Sequence, residues 1–208
     1  MNKEEFWERT KEYDYIFFDY GGVFINIEYQ KTVDALNLLS NGRATSLYSK
    51  HAQIELFSDI EVGKISGSDF IKELANILKI KKTSAISDAW CAMLLEIKQE
   101  RVNFLKEISQ KKKVYMLSNI NEIHEQCVEK YIAQNFPNFY STFDKVYFSH
   151  KLGLRKPNKE FFEFVLADCK IQASEAFFID DSIQHVESAA SLGIESFHLS
   201  PANTFICT

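Results

Sequence analysis

Tyr15-Ile16-Phe17-Phe18-Asp19-Tyr20-Gly21-Gly22-Val23 is the stretch that decides the fold. Four apolar residues with no polar alternation run directly into an acid and two glycines. A strand buried on both faces of a parallel sheet has this character, because neither side of its pleat meets water. Three more runs repeat the pattern. Val114-Tyr115-Met116-Leu117 precedes Ser118, Val146-Tyr147-Phe148 precedes Ser149, and Ala176-Phe177-Phe178-Ile179 precedes Asp180. Ser196-Phe197-His198-Leu199 is a fifth candidate.

Helical spacing fills the gaps between these runs. Val102, Leu105 and Ile108 lie ahead of the second, Phe161, Phe162, Val165 and Leu166 after the third, and Ile183, Val186 and Ala190 after the fourth, with Gly193 placed to end that helix. Strands alternating with helices predict an α/β fold with a doubly wound parallel sheet. Residues 29–98 differ, offering successive amphipathic helices and no convincing strand. Phe70, Leu74, Ile77 and Leu78 share one helical face behind a capping box of Ser66 and Asp69, and Trp90, Met93, Leu94 and Ile97 share another. The expected division is therefore an α/β catalytic core from 1–28 and 99–208, with an all-helical cap, 29–98, inserted after the first strand.

Bulk composition narrows the function classes. The 208 residues are 46% hydrophobic and 25% charged, a globular balance that argues against disorder. A net charge of −5 forces no basic face, so nucleic acid is not an expected partner. No stretch approaches the roughly 20 apolar residues of a membrane span, nor does the N-terminus resemble a signal peptide. Cys91, Cys127, Cys169 and Cys207 form no CxxC pair and read as free thiols of a reducing, cytoplasmic compartment. His51, His150 and His198 show no ligand spacing, Trp90 and Met93 read as core of the cap, and Gly21-Gly22 lacks the third glycine of a dinucleotide fingerprint.

In an open parallel sheet, ligands bind beyond the carboxyl ends of the strands. Those ends present Asp19, Ser118, a loop leading to Lys156, and Asp180-Asp181. Each signal alone has a bland reading: a turn acid, a helix cap, a loop lysine, a solvated acidic pair. Together they supply what phosphoryl transfer needs. A carboxylate can attack phosphorus, Mg²⁺ takes hard oxygen ligands, and a lysine with a hydroxyl holds the phosphoryl oxygens.

Phe18-Asp19-Tyr20-Gly21-Gly22-Val23, Leu117-Ser118-Asn119, Gly153-Leu154-Arg155-Lys156-Pro157 and Ile179-Asp180-Asp181-Ser182 resemble, in order, the four motifs of the haloacid dehalogenase-like superfamily. Leu117 to Asn121 with His124, and Leu152 to Pro157, are most similar to bacterial α-D-glucose-1-phosphate phosphatases. The resemblance implies a Rossmann-like core and a hydrolase. It also implies Asp19 as nucleophile, Ser118 and Lys156 on the substrate's phosphoryl group with Asn119 as a further substrate-binding residue, and Mg²⁺ at Asp19, the Gly21 carbonyl, Asp180 and Asp181. The expected partner is a small phosphorylated metabolite such as a sugar phosphate, the expected assembly a monomer or small homo-oligomer.

Two positions depart from the pattern. Where the family's first motif usually carries a second Asp that protonates the leaving group, this chain has Gly21, a feature shared with the glucose-1-phosphate phosphatase-like group. His185 stands where Asn is more common. A metal-independent dehalogenase would also fit Gly21, because halide leaves without a proton, but it has no use for Asp180-Asp181. A non-catalytic binding module would have been free to lose Asp19, Lys156 or the acidic pair, and none is lost.

Overall fold

The computed structural model describes residues 1–45 and 52–200. In chain order these form α1 (Lys3–Thr10), β1 (Tyr15–Phe18), β2 (Ile25–Ile27), α2 (Tyr29–Ser40), α3 (Ala52–Glu61), α4 (Gly67–Leu78), α5 (Ile86–Cys91) and β3 (Leu94–Ile97). There follow α6 (Gln99–Ser109), β4 (Lys113–Ser118), α7 (Glu122–Asn135), β5 (Lys145–Phe148), α8 (Ser149–Leu152), α9 (Lys159–Cys169), β6 (Ala176–Asp180), α10 (Ile183–Ala190) and β7 (Glu195–His198).

Five parallel strands pair in the order β5-β4-β1-β6-β7. β1 is central, with Phe17 opposite Tyr115 on one side and Phe178 on the other. Strand geometry then sorts its side chains between two cores. Ile16 and Phe18 join Val114, Met116, Phe177 and Ile179 against α6 and α7, while Phe17 joins Tyr115, Leu117 and Phe178 against α9 and α10. This is why the runs read as continuously apolar: both faces are covered. Each fully buried Phe contributes about 1.5–3 kcal/mol relative to an exposed one.

The helices between β2 and β3 build a third core of Leu36, Ile60, Phe70, Leu74, Leu78 and Trp90, which reaches Ile123 of α7. Ser66 caps α4 by accepting from the Asp69 amide, as expected. Ile77, assigned to the buried face from its spacing, is 44% exposed. The exit from the insertion also differs from its reading. α5 stops at Cys91, and Leu94–Ile97 form a strand antiparallel to Ile25–Ile27. Trp90, Met93, Leu94 and Ile97 satisfy a helical period, but a partner strand some seventy residues earlier overrides that local preference.

The cysteines require a correction. Cys91 at the end of α5 and Cys127 in α7 form a disulfide, with Cα atoms 6.6 Å apart. The two lie 36 residues apart with no local motif, and only the packing of α5 on α7 brings them together. Cys169 is a free thiol; Cys207 and His51 lie outside the described residues. Among the described residues no helix is long and apolar enough to cross a membrane.

Candidate active site

The carboxyl ends of β1, β4 and β6 bring the motif residues into one crevice. Lys156 is completely buried there. Its ammonium donates to Asp19 Oδ1 at 2.8 Å, Asp180 Oδ2 at 2.6 Å and the Leu117 carbonyl at 2.7 Å, which uses all three of its protons. Two further groups hold Asp180. The Ser182 amide donates to its Oδ1 at 2.7 Å, and His185 Nδ1 stands 3.0 Å from both carboxylate oxygens. Asp19, Asp180 and Asp181 each place a carboxylate oxygen within 4.8 Å of the others.

Three acids around one lysine carry an excess of negative charge, and their titration reflects it. Burial, then repulsion from Asp180, pushes Asp19 up to about 8. Burial works the same way on Asp180, but Lys156 and His185 outweigh it and bring that carboxyl down to about 2. Asp181 is raised by burial and by Asp180. Burial opposes the charge on Lys156, and Asp180 and Asp19 more than offset it, leaving the ammonium above its ordinary range. The donor set fits a divalent cation: hard oxygens, clustered, incompletely neutralised. Gly22 permits the close approach of the first and fourth motifs. Its φ is +68°, and a Cβ there would lie 2.2 Å from Asp181 Oδ2.

Asn119, expected on substrate, grips the backbone of Lys156 with both ends of its amide. Oδ1 accepts from the Lys156 amide at 2.9 Å and Nδ2 donates to its carbonyl at 2.8 Å. Ser118 is buried at the end of β4 and lines the adjoining cavity. His124 is buried and pushed down to about 4 by that burial, hence neutral. It accepts from Asn121 Nδ2 at Nδ1, donates from Nε2 to the Trp90 carbonyl at 3.0 Å, and stacks on the Trp90 ring. His198, which showed no ligand spacing, lies 3.0 Å through Nε2 from the Asp181 carbonyl.

A cavity of about 160 Å³ opens between this crevice and the helical insertion. Gly21, Ser118 and Asn119 line it from the sheet, and Ile27, Phe57, Glu61, Trp90 and Met93 line it from β2 and the insertion. Trp90 and Met93 therefore border the cavity as well as the core. Ile27 packs against the residue that stands in place of the usual second Asp: a Cβ on residue 21 would meet Ile27 Cδ1, the movable end of that side chain, at 2.5 Å. Glu61 was also missed, and nothing in its sequence neighbourhood distinguishes it from any solvated helix end. It closes α3 and accepts from Arg155 Nη1 through Oε2 at 2.5 Å.

The sequence pattern of haloacid dehalogenase-like hydrolases matches residues 13–193. The chain is 31% identical over 186 residues to the D-ribitol-5-phosphate phosphatase of Bacteroides thetaiotaomicron, covering 88% of this chain and 89% of that one. Its fold superposes with a TM-score of 0.80, at 28% identity, on a HAD family enzyme of the same organism in complex with magnesium and inorganic phosphate, covering 89% and 93% of the two chains. The L-2-haloacid dehalogenase of Xanthobacter autotrophicus shares the fold at a TM-score of 0.61 and 17% identity, covering 89% of this chain and 77% of that one. Four motifs in order, converging at the carboxyl end of a doubly wound sheet, thus meet a family pattern spanning nearly the whole chain, and this protein belongs to the haloacid dehalogenase-like hydrolases.

Proposed function

We propose that the protein is a Mg²⁺-dependent phosphomonoester hydrolase working through an aspartyl-phosphate on Asp19, with a small phosphorylated metabolite such as a sugar phosphate as substrate. The convergence of Asp19, Asp180 and Asp181 on the buried Lys156 carries this reading. An Asp19 oxygen forms the bond to phosphorus as the bond to the leaving oxygen breaks. Water then cleaves the acyl phosphate and regenerates the carboxylate. Lys156 turns one of its protons from a carboxylate to a phosphoryl oxygen, and Ser118 donates a second hydrogen bond to the same group. Asn119 fixes the backbone from which Lys156 reaches in. Asp19, the Gly21 carbonyl, Asp180 and Asp181 would hold Mg²⁺, which when bound supplies charge neutralisation for the transferring phosphoryl group. Residues 29–98 serve as the cap that excludes water and selects the leaving group.

The likeness to a D-ribitol-5-phosphate phosphatase supports a polyol or sugar phosphate. A metal-independent dehalogenase has one observation in its favour, the glycine in the acid's place. Turnover of an aryl phosphate and of a 2-haloacid, each with Mg²⁺ and with EDTA, separates the two. Phosphate release that requires Mg²⁺ is expected; halide release that persists in EDTA would overturn the proposal.

A further inference from the structure

A polyol or sugar leaving group is a poor one, because its alkoxide is strongly basic and needs a proton as the bond to phosphorus breaks. The family's usual donor is absent at Gly21, and Ile27 packs against that position. Among the described residues lining the cavity, few can replace it. His124 is neutral with both ring nitrogens engaged. The Tyr20 hydroxyl is buried against that of Tyr140, and burial holds its proton well beyond the ordinary tyrosine range. Tyr29 is 62% exposed. The one carboxyl on the lining is Glu61.

Its mounting suits a catalytic group. Three contacts fasten the end of α3 to the core. Ser149 Oγ donates to the Glu61 carbonyl at 2.6 Å, and Arg155 Nη1 holds Oε2. Gly63, at φ +66°, lies so close to the His150 carbonyl that a Cβ would come within 2.1 Å of it. Arg155 also immediately precedes Lys156, so one loop positions the phosphoryl-binding ammonium and the carboxyl of Glu61.

We propose that Glu61 is the general acid of this hydrolase, protonating the leaving-group oxygen from the insertion side in place of the residue lost at Gly21. The inference rests on the phosphatase reading. In the first half-reaction Asp19 bonds to phosphorus, the bond from phosphorus to the substrate oxygen breaks, and that oxygen takes the Glu61 proton to leave as an alcohol. In the second, water attacks phosphorus, its proton returns to the Glu61 carboxylate, and Asp19 is released with inorganic phosphate. Arg155 stabilises the intervening carboxylate. Burial raises the Glu61 carboxyl above the usual range, against the opposing charges of Arg155 and of His185 on α10.

The test compares kcat/KM for D-ribitol 5-phosphate and for 4-nitrophenyl phosphate, whose phenolate leaves unaided, in the wild type and in Glu61→Gln. The ratio of alkyl to aryl kcat/KM should fall about 10²–10⁴-fold in Glu61→Gln. Glu61→Asp should recover part of it. In the wild type the alkyl substrate alone should lose kcat/KM as pH rises past the pKa of the acid, and Glu61→Gln should lack that limb. An unchanged ratio would overturn the assignment and leave Glu61 as a strut for Arg155, in which case both substrates suffer equally. A wild type that hydrolyses neither phosphate would instead overturn the phosphatase reading itself, and the assignment with it.

Discussion

The two sides of the cavity are built on opposite principles. On the sheet side, Asp19, Lys156, Asp180 and His185 lie within direct bonding distance, and every proton of the lysine is committed. On the insertion side, Ile27, Phe57, Trp90 and Met93 present apolar surface, and Glu61 is held by Arg155. On the proposed function, the first arrangement acts on the phosphoryl group that all substrates of this protein share. The second meets whatever the phosphoryl group is attached to. Changes on the sheet side should therefore abolish turnover for all substrates, and changes on the insertion side should alter which substrates are preferred.

The sharpest division comes from the buried lysine and its acids. Asp19→Asn should reduce turnover of every phosphomonoester to background, since an amide is too poor a nucleophile for the covalent step. Its thermal stability should be equal or higher, because one of two crowded buried carboxylates is removed. Lys156→Ala should fail on both counts. It leaves the buried Asp180 carboxylate without the ammonium that compensates it, and denaturant unfolding should show a loss of about 3–5 kcal/mol. Met93→Ala offers the contrasting measurement: KM and substrate rank should change while kcat for an aryl phosphate stays within about 10-fold, the scale of a lost apolar contact. A Met93→Ala protein as inactive as Asp19→Asn would erase the distinction.

The same contrast explains what could be read from the sequence. The strand ends are fixed by local chemistry: an apolar run, then an acid, a serine or an acidic pair, each at a position the sheet topology brings together. Asp19, Ser118, Lys156 and Asp180-Asp181 were legible for that reason, as was the α/β order. The insertion side has no such grammar. Ile27 matters through its distance from a glycine six residues away, Glu61 through an arginine 94 residues later, and Cys91 through a helix it meets only in the folded chain. Asn119 was named from its place in the motif as a substrate contact; the bonds from both ends of its amide to the backbone of Lys156, 37 residues later, were not legible.

A second way to test the contrast is through charge. Asp19 is raised to about 8, so in the metal-free protein it stays protonated while an unfolded chain, with a carboxyl pKa near 3.9, ionises. Its contribution to stability is thus fully present below about 3.9 and is lost as pH rises through the folded value. Unfolding temperature without metal should fall between pH 5 and pH 8, and Mg²⁺ should restore more of it at pH 8 than at pH 5. Asp19→Asn should flatten both trends. A Mg²⁺ effect equal at the two pH values would place the cation elsewhere.

The insertion side has its own anchor in the Cys91–Cys127 disulfide, which joins α5 to α7 next to the Trp90–His124 stack. Cys91→Ser with Cys127→Ser should lower stability by about 2–4 kcal/mol, chiefly by freeing the unfolded chain. Loosening α5 should raise KM for a polyol phosphate more than it lowers kcat for an aryl phosphate. Cys169→Ser, removing a thiol outside the link, should do neither.

The smallest expected effect is also the most discriminating, because it moves chemistry from one side of the cavity to the other. Gly21→Asp alone sets its Cβ against Ile27 Cδ1, the flexible end of a side chain, and Ile27→Ala clears that space. Residue 21 lacks the positive φ of Gly22, so a side chain there meets no backbone penalty of that kind. In a Glu61→Gln background, where alkyl phosphates have lost their proton donor, Gly21→Asp with Ile27→Ala should recover kcat/KM for D-ribitol 5-phosphate on the order of 10-fold. That is below the roughly 10²–10⁴ of a well-positioned acid, since nothing has been arranged to aim the new carboxyl. With Glu61 intact the same pair should add little, because the proton already has a source. The four proteins form a double-mutant cycle read as the ratio of alkyl to aryl kcat/KM. Rescue only when Glu61 is replaced means that the two carboxyls are alternative donors to one oxygen. Equal gains in both backgrounds would mean that they act on different steps, and the division between a reactive sheet side and a selective insertion side would have to be redrawn around Gly21.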